Sequence, residues 1–370
     1  MLLALNLRTV IASLPPLLAT VRADLGLSAG VAGLLTTLPV VCFGALALVT
    51  PRVAHRVSLE RLLLGCALLT VVAALLRGAG ATLALFGGSL LAGVAVAIAQ
   101  AAMPIYIRTR HAGRTGPLIG AYSMAIPAGA TLAAASAVPL EHAFGGSWRA
   151  ALAVWALPAA LAAAVWLPAA LGTGTHLHGE QPAPVWNARL AWAVSLYFGL
   201  QSLAFYACLA WLPTILVADG ASSAGAGALL ALDSLVSAGP ALLVPLVAAR
   251  RATQTGLLAA IVALAAAGLL GLLLAPGLAI AWVVLIGLGQ GGALGLALIL
   301  PVLRARGPRP IAALTAMSLC VGYLVAASGP WLLGLVHDAA GGWDAGLAVL
   351  LAVTLLELAP GLPAVRDRLL

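Results

Sequence analysis

Few residues in this chain could do chemistry, because only 8% of its 370 residues are charged and 63% are hydrophobic. Those that stand inside apolar runs carry the argument. Arg8 lies in the first run, in the segment Asn6-Leu7-Arg8. An arginine within a membrane span costs about 2.5–3.5 kcal/mol on insertion scales, so it faces the protein interior and marks a pathway or an ion pair, unless it snorkels to an interface. A fixed guanidinium there would attract an anionic or strongly dipolar solute. Asp233, with Ser234 and Ser237 beside it, is the acid placed most clearly inside a run, whereas Glu357 falls nearer the end of one. Asp233 could carry a coupling proton or another ion, or pair with an intramembrane arginine. Four amides, Asn6, Gln100, Gln201 and Gln290, fall in four different runs, where they can bind a polar solute or tie helices together at about 0.6 kcal/mol each. Tyr122, Tyr206, Trp211 and Tyr323 could stack on a planar solute, or fill the core and the interfacial belts.

Other patterns point away from catalysis. The run Gly287-Leu288-Gly289-Gln290-Gly291-Gly292 matches the dinucleotide fingerprint, which has physical meaning only at a strand-to-helix turn. It sits in an apolar run instead, and Gly287, Gly291 and Gly295 recur every four residues as a smooth face for close helix approach. No cofactor is expected. His176 and His178 could hold a metal, but no further ligand lies near them, and a solvated linker is the favoured reading. Cys42, Cys66, Cys208 and Cys320 fall singly in four apolar stretches and read as small core residues rather than a disulfide or zinc framework. No Ser/His/Asp or Cys/His set is recognisable, so an enzyme is not expected.

The elements that must position these residues are membrane helices. Soluble domains carry about 25% charged residues, and the mean hydropathy of +1.14 excludes one here. Roughly 20 apolar residues cross a 30 Å hydrocarbon core. The apolar runs give twelve spans near 1–20, 30–50, 60–77, 83–107, 116–138, 148–168, 188–217, 224–247, 256–275, 278–303, 310–336 and 345–363. The expected division is a six-helix bundle over 1–170, a linker over 171–187 rich in glycine and proline, and a second bundle over 188–370. All 18 basic residues are arginine, a usage that suggests a GC-rich bacterium. With both termini cytoplasmic, fourteen arginines, from Arg52 through Arg368, lie on the cytoplasmic face, and Arg22, Arg77 and Arg149 on the other. That asymmetry fits the positive-inside rule and places the chain in a bacterial cytoplasmic membrane. The net charge of +8 therefore reads as a topology signal rather than a nucleic-acid footprint.

The chain also repeats itself. Trp148-Arg149-Ala150-Ala151-Leu152-Ala153-Val154 matches Trp343-Asp344-Ala345-Gly346-Leu347-Ala348-Val349 at an offset of 195, which is 343 minus 148. The same shift pairs Asp24 with Asp219, Ser28-Ala29-Gly30 with Ser223-Ala224-Gly225, Ser123 with Ser318, and Asn6 with Gln201. Six spans separate equivalent points. Because six is even, both copies enter the membrane in the same direction, which predicts parallel repeats with a solute site at the repeat interface near the midplane. The second copy begins near Ala188, so the offset places the start of the first helix before Met1, and that helix is expected to be truncated.

Several segments resemble the cyanate and 2-nitroimidazole permease branch of the major facilitator superfamily: Asn6-Leu7-Arg8 with Pro15-Pro16, the stretch from Ala32 to Gly44, the segment from Tyr197 to Leu216 containing Gln201, Tyr206, Trp211 and Pro213, the stretch from Ile286, and His337 to Trp343. The resemblance covers nearly the whole chain. It implies alternating access driven by an ion gradient and small anionic or nitro-aromatic solutes. It also implies that spans 1, 4, 7 and 10, which hold Asn6, Gln100, Gln201 and Gln290, line the cavity. Two departures stand out. His55 occupies a position in the loop after span 2 where the superfamily usually has an acid, leaving Glu60 as that loop's carboxylate, and Gln100 stands where an asparagine is expected. The expectation is a monomeric secondary transporter for a small, possibly anionic solute, working with protons or another coupling ion in the lipid bilayer. A multidrug-type exporter of small aromatic compounds and a membrane-embedded enzyme remain the alternatives.

Overall fold

The computed structural model describes residues 1–47, 53, 56–111, 114–172 and 185–370, so Arg52, His55, His176 and His178 lie outside the described residues, as do the side chains of Arg108 and Ser123. Among the described residues, twelve helices are long and apolar enough to cross a membrane. They are span 1 (Leu2–Leu25), span 2 (Ala29–Ala47), span 3 (Leu59–Gly78), span 4 (Thr82–Ile107), span 5 (Met124–Ala143), span 6 (Trp148–Leu171), span 7 (Arg189–Ala218), span 8 (Ser223–Ala248), span 9 (Thr255–Leu274), span 10 (Pro276–Arg304), span 11 (Arg309–Ala340) and span 12 (Asp344–Ala364).

The offset of 195 read from the sequence reappears in these boundaries. It carries span 3 onto 254–273, where span 9 occupies Thr255–Leu274, and span 6 onto 343–366, where span 12 occupies Asp344–Ala364. The turns leading to spans 2 and 8 each hold a glycine with positive φ, Gly26 at 62° and Gly220 at 98°, a backbone geometry that glycine adopts without a Cβ penalty. By packing, the chain divides into unit 1, residues 1–27 and 38–180, and unit 2, residues 28–37 and 181–370. Residues Ser28–Thr37 of span 2 thus belong with the second half of the sequence.

Without a hydrophobic drive between helices in lipid, close approach through small residues supplies much of the packing. In unit 1, Gly129 lies against the Leu5 backbone, where a Cβ would meet the Leu5 carbonyl, and Ala12, Ala74 and Ala133 form a core with Trp155. In unit 2 the four-residue glycine stripe of span 10 packs as its spacing predicts. Gly287 meets Asp233 and Val236, Gly291 meets the Ser237 backbone, and Gly295 meets Ala241 and Pro245 of span 8. A larger core surrounds Tyr197, Phe198, Leu258, Leu296, Leu300 and Leu314.

Filling the stripe should therefore be costly. Gly291→Leu is expected to lower stability by more than the about 1–3 kcal/mol typical of core overpacking, because the obstacle is Ser237 backbone and not a flexible side chain. Gly65→Ala, in span 3 with open space around it, should leave stability unchanged or raise it. Thermal melts of both purified variants, followed by loss of the monodisperse peak, decide the matter; equal melts would show that the stripe is not a packing constraint.

Candidate functional site

In unit 1, the residues with chemistry gather around an interruption in span 1. Pro15 and Pro16 have no N–H, so the α-helix Leu2–Ala12 ends, a 3-10 turn covers Pro15–Leu17, and the helix resumes at Leu18–Leu25. Arg8 lies one turn before the break and is half-buried. Its guanidinium is within electrostatic reach of the Tyr122 hydroxyl, another residue singled out by the sequence. The Val10 carbonyl, just before the break, accepts a hydrogen bond from Arg77 Nη1 of span 3. Sequence reasoning gave Arg77 to the non-cytoplasmic face as a topology signal, without a part in the packing. Arg77 lies in the last turn of span 3, is 3% exposed and serves span 1. Arg8 is therefore not the lone arginine inside a span. The signal available was the helix-breaking Pro15-Pro16 pair, which requires an outside donor; nothing in the local spacing names Arg77 as that donor. Glu60, the other residue left to a loop, is 1% exposed in the first turn of span 3 and lies 4.0 Å from Arg110 Nε.

The four amides divide into two kinds. Asn6 is fully buried and donates to the Leu2 carbonyl at 2.9 Å, while Thr9 Oγ1 donates to its Oδ1 at 3.5 Å. Its partner in the repeat, Gln201, donates to the Phe198 carbonyl at 3.1 Å and to Ser202 Oγ at 2.6 Å. Both bond within their own helix, about one turn back and to a neighbouring hydroxyl. Gln100 and Gln290 each keep one buried amide atom unmatched, Nε2 of Gln100 as a donor and Oε1 of Gln290 as an acceptor. Buried polar atoms are nearly always matched, so these two call for an explanation.

In unit 2, Gln290 and Asp233 both lie within electrostatic reach of the Cys208 thiol. Asp233 is 3% exposed, its Oδ1 has no partner, and it sits against Gly287 of span 10. Spans 7, 8 and 10 thus bring Cys208, Asp233 and Gln290 together. Glu357, which sequence reasoning set near a helix end, is 3% exposed at the junction between helices Asp344–Leu356 and Leu358–Ala364, close enough to Tyr197 for its charge to be felt there. Tyr206 and Tyr323 meet edge to face with ring centroids 6.3 Å apart, and Tyr323 packs the same way on Phe198 at 5.2 Å. Trp211 stands apart from them. It is fully buried, donates its indole N–H to the Pro330 carbonyl at 2.7 Å and lies 4.9 Å from the Trp343 ring.

Twelve helices long and apolar enough to cross a membrane, with charged and amide side chains buried among them, define the class as a polytopic membrane protein. The model of the Major Facilitator Superfamily matches residues 1–330, and the chain belongs to that superfamily. It is 36% identical to the 2-nitroimidazole transporter of Escherichia coli (strain K12), covering 100% of this chain and 94% of that one. It is likewise 36% identical to the cyanate transport protein CynX of the same organism, covering 92% of this chain and 90% of that one. Among solved structures, a bacterial homologue of the human lysosomal transporter Spinster shares the fold, with a TM-score of 0.78 and 17% identity over 98% of this chain and 96% of that one.

Arg77 yields a direct test of how unit 1 is held. Arg77→Met keeps the length of the side chain but leaves the Val10 carbonyl buried without this donor, which should cost about 1–3 kcal/mol of stability. Arg77→Lys, which retains a donor, should recover part of the loss. A thermal melt of Arg77→Met indistinguishable from the parent would remove Arg77 from the account of span 1.

Proposed function

We propose that this transporter is a secondary active carrier of a small planar solute, anionic or strongly dipolar, that crosses a bacterial cytoplasmic membrane by alternating access and is coupled to an ion through Asp233. The observation that carries the reading is Arg8, a guanidinium half-buried inside span 1 and within electrostatic reach of Tyr122. In a medium of low dielectric, a fixed cation is costly unless it has work to do. Its fork of parallel N–H donors suits the two oxygens of a nitro group or the terminal atoms of a small linear anion, and a lysine cannot reproduce that geometry. The unmatched Gln100 Nε2 adds a second donor in the same unit. That two relatives are named for 2-nitroimidazole and cyanate fits a solute of this size and polarity. Tyr323, half-buried and packed edge to face on the buried Tyr206, offers a ring to a planar solute. Asn6 and Gln201 act as braces of their own helices, and Trp211 as a pin between spans 7 and 11. Both termini and the arginine-rich loops face the cytoplasm in this reading.

Asp233 and Gln290 carry the coupling. Their unmatched oxygens, Oδ1 and Oε1, are acceptors that a proton or a small cation would satisfy. Asp233→Asn should abolish accumulation of solute driven by an ion gradient while counterflow of solute remains measurable; unchanged accumulation would assign Asp233 a purely structural role.

The anion site has its own test. Arg8→Lys should weaken binding of cyanate or 2-nitroimidazole by about ten- to a hundredfold, the equivalent of about 1.5–3 kcal/mol for a charge-assisted hydrogen bond. Arg8→Gln should nearly abolish it, and both proteins should still insert and remain monodisperse. Affinities of the three proteins in liposomes decide: if Arg8→Gln binds as tightly as the parent, Arg8 merely anchors span 1.

A further inference from the structure

Spans 3 and 6 pack together in unit 1, and small residues on span 6 leave room between them. Toward the end of span 3, Ala74 joins Trp155 and Ala156 of span 6 in one buried core. From Val71 back toward Leu64 the two helices instead enclose an apolar groove, walled by Leu64, Leu68 and Val71 of span 3 and by Ala160, Ala164 and Leu167 of span 6. The alanine methyl groups are too short to fill it. Leu68 is 51% exposed and Leu167 48%, so the groove opens to the surroundings of the helices, which for spans of this hydropathy is hydrocarbon.

The groove has a definite length and a charged end. Arg61, Leu64, Leu68 and Val71 follow one another at spacings of three, four and three, which places them on one face of span 3. At a rise of about 1.5 Å per residue, Arg61 to Val71 covers about 15 Å, half of the roughly 30 Å hydrocarbon core and therefore the depth of one leaflet. Arg61 is exposed in the first turn of span 3, and its Nε donates to the Ala170 carbonyl at 3.3 Å in the last turn of span 6. That bond joins the two helix ends at the mouth of the groove and uses one of the five N–H groups of the guanidinium. One turn inward, Trp166 packs edge to face on Tyr106 of span 4 with ring centroids 4.9 Å apart. Aromatic side chains of this kind settle at the headgroup level of a bilayer.

We infer that the groove is a site for an anionic phospholipid, with one acyl chain lying along Leu64, Leu68 and Val71 and the phosphate on the Arg61 guanidinium. A guanidinium with donors to spare matches the oxygens of a phosphate. A chain one leaflet deep ends where Ala74 closes against Trp155 and Ala156. With the orientation proposed above, the leaflet is the cytoplasmic one, whose anionic lipids attract arginines at the ends of spans. A second copy of the protein suits the groove less well. Two copies meeting here about an axis along the membrane normal would bring their Arg61 cations to the same depth, like charge against like charge.

Native mass spectrometry of the purified full chain in detergent, with dioleoyl phosphatidylglycerol or dioleoyl phosphatidylcholine added, tests the site without reference to transport. The parent should hold its first phosphatidylglycerol about fivefold more tightly than its first phosphatidylcholine, the preference that one basic residue near a bilayer surface gives. Arg61→Gln should remove that preference and Arg61→Lys keep at least half of it, while Arg56→Gln, at an exposed arginine that does not line the groove, should leave it intact. Ala164→Phe fills the groove at an exposed position and should weaken the binding of both lipids with Arg61 still in place. Glycerol phosphate, a headgroup without chains, should give no adduct at the same concentration. A parental preference in Arg61→Gln, or a loss in Arg56→Gln as large as in Arg61→Gln, overturns the site in favour of diffuse surface charge. Unchanged lipid binding by Ala164→Phe, or a dimer that carries no phospholipid, overturns it equally. Should Arg61→Gln fail to fold, Ala164→Phe decides alone.

Discussion

Hydrocarbon offers no hydrogen bonds, so a helix interrupted inside a membrane must have its freed backbone groups answered from elsewhere in the fold. Much of the polar structure of this transporter follows from that constraint. Span 1 breaks at Pro15-Pro16, and Arg77 of span 3 donates to Val10. Span 11 breaks between Ala326 and Ser328, and Thr37 donates to the Ala327 carbonyl at the break. At the end of span 12, Arg304 Nε donates to the Ala364 carbonyl at 2.7 Å while its Nη2 donates to Gln254, whose own backbone N–H reaches Val365. The polar residues that look most like chemistry in the sequence are thus in competition with a second, structural demand for polar side chains.

That competition explains what the sequence reveals and what it conceals. Spans, their number and the repeat are legible because hydropathy and a fixed offset are local or periodic signals, and span 9 falls within one residue of where span 3 shifted by 195 predicts it. The glycine stripe of span 10 is legible for the same reason, since a four-residue spacing specifies a helix face before the partner is known. The burial of Arg77 and Glu357 is not legible because both lie toward the end of a span, where hydropathy cannot separate a side chain in the headgroups from one turned inward. Trp211 and Tyr206 look alike in the sequence, five residues apart in one helix. The Pro330 carbonyl, 119 residues away, and the Trp343 ring distinguish the pinned indole from the ring that meets Tyr323.

Beyond the structural demand, unmatched buried atoms remain in both units. Among the described residues, the buried side-chain groups without partners include a donor in unit 1, Gln100 Nε2, and two acceptors in unit 2, Asp233 Oδ1 and Gln290 Oε1. Arg8 adds positive charge to unit 1, and Asp233 gives unit 2 a carboxylate. Buried polar groups left unmatched each cost about 1–3 kcal/mol, a cost that a transported solute and a coupling ion would relieve on binding. The same low dielectric that makes these atoms costly when empty would make them selective when filled.

The two copies also show where divergence is cheap. In unit 1, Asp24 Oδ2 accepts hydrogen bonds from Trp148 Nε1 at 3.0 Å and Arg149 Nη2 at 2.8 Å. The offset of 195 places Asp219, Trp343 and Asp344 at the matching positions of unit 2, so the ion pair has become two carboxylates. Partial burial, together with the Asp344 charge, raises the Asp219 pKa above the usual carboxylate value. The unit 1 pair is well exposed, with side chains 48% and 43% accessible, and exposed pairs contribute only about 0–1 kcal/mol. Replacing an arginine by an aspartate there costs little. Both tryptophans are buried, and each keeps its place at the start of the sixth span of its copy, although their partners differ: Asp24 for Trp148, the rings of Trp211 and His337 for Trp343. Burial holds the frame in register while exposed charges drift. A functional difference between the halves is therefore to be sought in the buried polar groups, where a change of residue is expensive unless something binds to it.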